Sequence, residues 1–582
     1  MFVLGISAFF HDSAACLLKD GVIVAAAAEE RFTRIKHDSS FPIKAIHFCL
    51  EEANINVCEI QLIVFYEKPF VKFDRILNSI KSTVPFGFSL FRKAITSWTK
   101  TKLWIPSIIA KELSYDGEII FSEHHEAHAA GTFFTSPFAE SVIITIDGVG
   151  EKACTSIAIG KENKIKMLQE QHYPHSFGLF YSAFTQFCGF KVNSGEYKLM
   201  GLAPYGNPIY KKFILDKIIT ISNTGEIQLA LDYFSFEKGE STINSKFCSL
   251  FKHPIRKEED KISQFYCDIA ASVQEITDEF LLIISRYAKE LTGLNQLCLA
   301  GGVALNCKAN GRLLREKIFN DIWVQPAAGD DGCAIGAAYV GWYHYFNKAR
   351  TYLKNSLNEQ IYFGTSYASN EILNFLKQYN LVYTYLEDSL LCDKVSQMLL
   401  DKKIVGWFQG KMEFGPRALG NRSILASPVY EDMKQYINKK IKLREGFRPF
   451  APVILDTYAS EWFSIKKDSK YMLFTFDSTK KEVIPSCVHE DYTARVQTIA
   501  QKDNVLLYQL ISCFNQKSKV PILINTSFNV RGEPIVESPL DALKCFFQTD
   551  MDAVVLGNYL IEKKDNHDIN RELTSKMEYE LD

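Results

Sequence analysis

With 582 residues, 47% hydrophobic and 23% charged, the chain has the make-up of a water-soluble globular protein with material for two to four domains. Its 66 lysines and arginines nearly balance 68 aspartates and glutamates, so no bulk field recruits nucleic acid or a membrane. No stretch of 18 apolar residues occurs, and the fourteen cysteines include no Cys-x-x-Cys pair, which predicts a cytoplasmic protein with free, mostly buried thiols.

The opening MFVLGISAFFHDSAACLL is apolar but lacks a basic leader and is interrupted by His11 and Asp12, so it predicts a buried strand and not a signal peptide. FVLGISAFFHDSAACLLKDGVIVAAAAEER has a partner later in the chain, SVIITIDGVGEKACTSIAIGKENKIKML. Each runs strand, turn (His11-Asp12 or Asp147-Gly148), strand, then a second turn at Asp20-Gly21 or Gly160-Lys161. Either these are unrelated hairpins, or each opens one half of a duplicated α/β domain of the sugar kinase, heat-shock ATPase and actin type. Between them, residues 70–113 predict an inserted helical region, rich in Phe, Lys and Trp, that serves as core or as the contact of a homodimer.

Residues 122–131, SEHHEAHAAG, crowd three histidines together. A zinc-protease helix needs His-Glu-x-x-His, but His125-Glu126 is followed by Ala127 and then His128, one residue early. His124 and His128 do have four-residue spacing, which puts both imidazoles on one helix face. They form half of a metal site or a structural pair. Asp147 and Asp330, each at a strand tip, are candidate carboxylate ligands. A His-His-Asp-Asp set suits iron(II), manganese or zinc.

Two glycine-rich strand-to-helix turns follow: LNQLCLAGGVALNCKANGRLL and IWVQPAAGDDGCAIGAAYVGW. The glycines let backbone approach a ligand and the helix starts favour an anion. Two such units after paired hairpins favour the duplicated fold. The polar KARTYLKNSLNEQ marks a boundary, giving domains of residues 1–350 and 351–582. A second α/β pattern follows, with helices from Asn370 and Ser389, strands KKIVGWFQG, SILASP and PILINTSF, and the helix SPLDALKCFFQT. Its strands end with AVVLGNYLIEK, and the charged tail from Asp565 is expected to fray.

This second half places cations among apolar residues and glycines: Arg417 and Arg422, then Lys442, Arg444 and Arg448, Arg495, and Arg531 near Ser527. Guanidinium forks held near an interior need anions. Glu413, Glu445 and Glu533 could serve singly, but the set together points to a nucleotide plus a second phosphate ester.

The segments GISAFFHDSAACLLKDGVIVAAAAEERFTRIKHDSSFP, HHEAHAAG, EYKLMGLAPYG, GGVALNCKANG, AAGDDGCAIGAA, MEFGPRALGNRSI, REGFRPFAP and NTSFNVRGEPIV resemble the NodU/CmcH family of O-carbamoyltransferases, from Met1 to about Lys564. The resemblance implies an N-terminal domain like the actin-superfamily protein that finishes threonylcarbamoyladenosine on tRNA, and a C-terminal YrdC-like α/β domain. In the family, the latter makes carbamoyladenylate from carbamoyl phosphate and ATP with magnesium. The former passes the carbamoyl group to a hydroxyl of a small-molecule natural product, using a metal that is typically iron(II).

By motif, the implied metal ligands are His124, His128, Asp147 and Asp330, with Asp330 set over Asp331 only by alignment of the DDG turn. His11 and Lys36 match transfer-site residues. Arg417, Lys442, Arg448, Arg495 and Ser527 match positions that hold carbamoyl phosphate and adenylate, and Asn306 and Asn310 fall in a loop expected to touch the nucleotide. Lys411 and Tyr492 depart from the usual arginine and glycine, which bears on fine specificity. The rivals are threonylcarbamoyl transfer to tRNA, disfavoured by the fused chain of charge −2, and a non-catalytic actin-like nucleotide-binding regulator, which leaves the histidines and arginines without work.

Overall fold

The computed structural model describes residues 1–83, 92, 95–96, 98–99, 101–236, 241–350, 361–566, 571–574 and 579. It falls into two compact units: Met1–Glu29 with His37–Gln360, and Glu30–Lys36 with Ile361–Asp582. The expected domain boundary at residues 351–360, the middle of the insertion and most of the charged tail lie outside the described residues.

In the first unit, strands β1 (Phe2–Ser7), β2 (Ala14–Lys19), β3 (Val22–Ala28), β4 (Ile60–Phe65) and β5 (Glu118–Phe121) form a sheet of order β3-β2-β1-β4-β5. The first three are antiparallel, and β4 and β5 continue parallel to β1. A second sheet repeats this plan with β6 (Glu140–Ile146), β7 (Ala153–Lys161) and β8 (Lys164–His172). After the ribbon of β9 (Ile219–Ile221) and β10 (Ile227–Leu229), β11 (Gln296–Ala300) and β12 (Asp321–Val324) complete the order β12-β11-β6-β7-β8. Again the hairpin strands are antiparallel and the added strands parallel. The same five-strand plan used twice is the duplicated actin-type α/β fold. The central strands are apolar on both faces, as sheets covered by helices require.

The second hairpin departs from expectation in one place. Gly160 and Lys161 belong to β7, and the turn falls on Glu162 and Asn163. A Cβ on Gly160 would lie 2.6 Å from the Phe133 ring, so this glycine makes room for packing and not for a turn.

Similar crowding explains the small-residue helix Cys333–Tyr339 (CAIGAAY). A Cβ on Gly336 would stand 1.7 Å from the carbonyl oxygen of Ala127, and one on Gly5 would stand 2.0 Å from that of Ala334. The helix thus packs closely against both β1 and the histidine helix, His124–Thr135, holding the loops at their starts in fixed relation. At either end of the 70–113 insertion the structure has helices, Pro69–Thr83 and Ile105–Leu113.

In the second unit, β13 (Thr384–Tyr385), β14 (Val405–Phe408), β15 (Arg422–Ala426) and β16 (Ala451–Leu455) are followed by the ribbon β17 (Thr475–Asp477) and β18 (Thr493–Arg495). Then come β19 (Gln497–Ile499), β20 (Ile522–Ser527), β21 (Ala553–Leu556) and β22 (Tyr559–Glu562). All but the ribbon join one mixed sheet, β13-β22-β21-β14-β15-β20-β16-β19. Helix Pro539–Phe547 opens on a capping box: the Ser538 hydroxyl accepts the Asp541 N–H, and the Asp541 carboxylate accepts the Ser538 N–H.

The strap Glu30–Lys36 belongs to this unit through Arg34. Its guanidinium donates to the Ile535 carbonyl at 2.7 Å, the Pro534 carbonyl at 2.9 Å and Glu533 at 3.0 Å. All fourteen cysteines are free and eleven are buried. Among the described residues no helix is long and apolar enough to cross a membrane.

Candidate active site

Four donors converge at the start of the histidine helix. The Glu151 carboxylate fixes that start by accepting the His124 N–H with both oxygens at 3.0 Å. One helical turn then brings the Nε2 atoms of His124 and His128 to 3.1 Å of each other. Asp147, just past β6, sets Oδ2 at 3.2 Å from His124 Nε2 and 4.0 Å from His128 Nε2. Its other oxygen accepts the Gly302 N–H at 2.9 Å, which aims the carboxylate. Gly301 makes that turn at φ 88°, where a Cβ would meet the Ile146 carbonyl oxygen at 2.2 Å. Asp330 Oδ1 lies 3.7 Å from His124 Nε2 and 3.5 Å from His128 Nε2.

These residues fit a divalent cation. Ligands about 2.1 Å from one ion are separated by roughly 3.0–4.2 Å, depending on the angle between them. Two imidazole nitrogens facing each other can share one proton at best, whereas both lone pairs can serve an ion. Among the described residues, the buried Nδ1 of His124 and Oδ2 of Asp330 find no hydrogen-bond partner.

Burial favours neutral His124, but Asp330 and Asp147 outweigh it and raise its pKa to about 9. Burial would likewise raise Asp147, yet the hydrogen bond from His124 and the nearby His128 hold it well below the carboxylate range. Asp331 instead accepts the Gly332 N–H at 2.9 Å, so the geometry brings Asp330 to the cluster. The third histidine, His125, turns away to the Ser156 hydroxyl at 3.0 Å. Sequence reasoning passed over Cys333, whose thiol lies within 4.8 Å of the His124, His128 and Asp330 donors; its signal was the position three residues past Asp330.

His11 adjoins this cluster, with Nε2 3.6 Å from Asp330 Oδ2 and Nδ1 2.9 Å from Asp12 Oδ2. Asp12, at φ 52°, offers its second oxygen to His37 Nδ1 at 2.7 Å. Burial would lower the His11 pKa, but Asp330, Asp12 and Asp147 raise it to about 10. Asp12 and His37 are thus further members of the site, visible in sequence only as neighbours of motif residues. Lys36 lies on the strap of the second unit.

Asn306 and Asn310 support their turn. The Asn306 amide exchanges hydrogen bonds with Gln274 at 3.0 and 3.1 Å and caps the helix Cys307–Arg315 by accepting the Ala309 N–H. The fully buried Asn310 donates to the Ala304 carbonyl at 2.7 Å.

The second unit gathers cations. The Lys442 ammonium is buried and donates to the Ser527 carbonyl and hydroxyl and to the Asn529 carbonyl and side chain. Burial, aided by Arg444 and Arg448, pushes its pKa well below the usual lysine value. Asn529 was missed by sequence reasoning although it stands two residues past Ser527. The loop that carries it is closed by the Asn529 amide on the Glu533 carbonyl at 2.7 Å.

Arg448 lies 3.8 Å from Glu445, and Arg417, Arg448, Arg495 and Ser527 are half-buried. Arg422 departs from the anion-binding expectation. It is fully buried, stacks 3.7 Å over Phe408, and donates to the carbonyls of Gln409, Gly410, Asn421 and Thr365. Glu413 likewise serves backbone, accepting the N–H groups of Leu419 and Asn421.

Residues 2–339 match the family described as carbamoyltransferase N-terminus, and residues 396–563 match carbamoyltransferase C-terminus. An uncharacterised protein of Synechocystis is 45% identical over the full length of both chains. Nodulation protein NolNO of Sinorhizobium fredii is 35% identical over 96% of this chain and 79% of its own. Among solved structures, component A of the (R)-2-hydroxyglutaryl-CoA dehydratase of Acidaminococcus fermentans covers 60% of this chain at 19% identity and a TM-score of 0.32, a likeness too loose to add to the topology above.

Proposed function

This chain belongs to the carbamoyltransferase family, and we propose that it is an ATP-dependent O-carbamoyltransferase acting on a hydroxylated small molecule. The observation that carries the proposal is the meeting of His124, His128, Asp147 and Asp330 with His11, which shares Asp330 with them.

We assign activation to residues 351–582, a YrdC-like domain on the family resemblance. One water releases phosphate from carbamoyl phosphate, and an oxygen of the resulting carbamate displaces pyrophosphate from the α-phosphorus of ATP-magnesium, giving carbamoyladenylate. Carbamoyl phosphate and ATP are both anions, which suits Arg417, Arg448 and Arg495 as preorganised positive charge, and their binding would favour the charged form of Lys442. Ser527, whose hydroxyl donates to Asn529 at 2.7 Å, holds that side chain beside the Lys442 ammonium.

Transfer is assigned to residues 1–350. The acceptor oxygen bonds to the carbamoyl carbon, the bond to the adenylate oxygen breaks, and AMP leaves with the electron pair. The neutral form of His11, the minor form while Asp330, Asp12 and Asp147 hold its pKa near 10, accepts the hydroxyl proton, and Asp12 on Nδ1 fixes the ring so that Nε2 is the basic nitrogen. Asp330 stabilises the imidazolium that forms. A divalent metal held by His124, His128, Asp147 and Asp330, iron(II) on the family resemblance, would supply Lewis acidity towards the carbamoyl oxygen or the hydroxyl. For Lys36 the assignment rests on the resemblance alone.

The test is incubation with carbamoyl phosphate, ATP, magnesium and a panel of alcohols, followed by mass spectrometry. The proposal predicts alcohols heavier by one carbamoyl group, with AMP formed in step. Absence of carbamoyl-phosphate-dependent pyrophosphate release would overturn it.

A further inference from the structure

A buried charge cluster beside the transfer site has no part in the chemistry above. Glu67, directly past β4, is 1% exposed and takes two ammonium groups: Lys72 Nζ at 2.5 Å and Lys102 Nζ at 3.3 Å. Lys72 and Lys102 are only 6% and 9% exposed. Among the described residues, the ion pairs of both lysines go to this one carboxylate. Neighbouring acids are engaged elsewhere: Glu123 with Lys68 at 2.9 Å, Asp74 with Lys152 at 2.8 Å, and Glu151 with the N–H groups of Lys68 and His124. Two ammoniums against one carboxylate leave a net positive charge away from water, an arrangement that is costly without an anion. Burial and the neighbouring Lys72 lower Lys102 to about 8 against the pull of Glu67.

The cluster reaches the transfer site through one ring. Lys72 Nζ sits 4.6 Å from the centroid of Phe10, whose ring lies 4.4 Å from that of His11. Phe10 is 44% exposed, an apolar platform beside the group proposed to take the acceptor proton. The surrounding sequence has the same bias. Residues 75–111 carry seven lysines and arginines and no aspartate or glutamate, in a chain whose net charge is −2.

We propose that Lys72 and Lys102 bind an acidic group of the acceptor, so that this enzyme carbamoylates a hydroxylated small molecule bearing a carboxylate or phosphate. Phe10 packs against its carbon skeleton and places the hydroxyl at His11. Glu67 keeps both ammoniums in place before the acceptor arrives. The assignment rests on the carbamoyl-transfer reading of the His11 site. It separates this chain's acceptor from neutral sugars and from cationic amino sugars, which the lysines would repel.

The test uses the full chain with carbamoyl phosphate, ATP and matched acceptors: gluconate against glucitol, glucose 6-phosphate against glucose, and glucosamine as the cationic member. An acid should exceed its neutral partner in kcat/KM by about tenfold or more, the worth of one well-placed charge pair. K72Q and K102Q should raise KM for the acids while changing kcat little and erase the preference, and K102R should restore it. Equal use of both partners, or preference for glucitol, glucose or glucosamine, overturns the proposal.

A second measurement does not need turnover: acetylation of Lys72 and Lys102 by acetic anhydride, read by peptide mass spectrometry. Gluconate or glucose 6-phosphate should slow it and glucitol should not. Protection without carbamoylation of any alcohol would support the anion site and contradict the transfer reading. Labelling that no soluble acid slows would sink the site, and protection only by vesicles of anionic phospholipid would replace it with a membrane contact.

Discussion

The two clusters of candidate site residues are opposites in charge. In the first unit, Asp12, Asp147 and Asp330 surround imidazoles, and His11 and His124 are pulled up to about 10 and about 9. In the second, Lys442 is buried among carbonyl and hydroxyl oxygens beside Arg444 and Arg448, and its pKa is driven down. On the proposed reading each cluster takes a ligand of the other sign, a cation at the carboxylates and polyanions at the lysine and arginines.

The most forceful way to break this division is at His11. H11A should lower acceptor carbamoylation by about 10²–10⁴-fold, the usual worth of a positioned base, while carbamoyl-phosphate-dependent pyrophosphate release continues. Both activities falling together would show that the two clusters do not divide the labour. The converse substitution, K442M, should cut pyrophosphate release by about 10²–10³-fold and leave the metal content of the protein unchanged.

How far the sequence foretold these sites depended on distance along the chain. His124 and His128 were legible because one helical turn is a local geometry, and the paired hairpins because strands and turns alternate locally. Gly160 misled because its reason, the Phe133 ring, comes from a different element. Arg422 resembled its neighbours in composition, yet its guanidinium is consumed by four carbonyls that only the folded loops bring together. The Glu67 pair with Lys102 spans 35 positions, and no periodicity announces such a contact. Asp12 and His37, 25 positions apart, were likewise unjoined until folded.

A third prediction concerns how the first site is held. G336A places a methyl group against the Ala127 carbonyl, a backbone atom that cannot swing aside. It should cost about 3 kcal/mol or less of stability, read by denaturant unfolding, and loosen metal binding because it separates the Asp330 turn from the histidine helix. Unchanged stability and affinity would show that this packing does not set the geometry.

The smallest effect tests the exception within the first unit. Because Lys102 titrates lower folded, at about 8, than in an unfolded chain near 10.5, the unfolded state holds more protons between those values. Its contribution to stability is therefore full above the unfolded value and lost as pH falls through about 8. Relative to K102M, the wild-type chain should gain on the order of 1 kcal/mol between pH 8 and 10.5. Gluconate should shrink that gain by supplying the missing anion, and a flat difference would remove the claim of excess positive charge.

The central claim is tested most directly by the divalent metal content of the full-length chain, with and without the substitutions H124Q and H128Q. The account predicts one firmly held metal ion per wild-type chain and none in the double variant, which should still release pyrophosphate from ATP and carbamoyl phosphate. A wild-type chain that binds no divalent metal, or a double variant that retains it, would contradict the account.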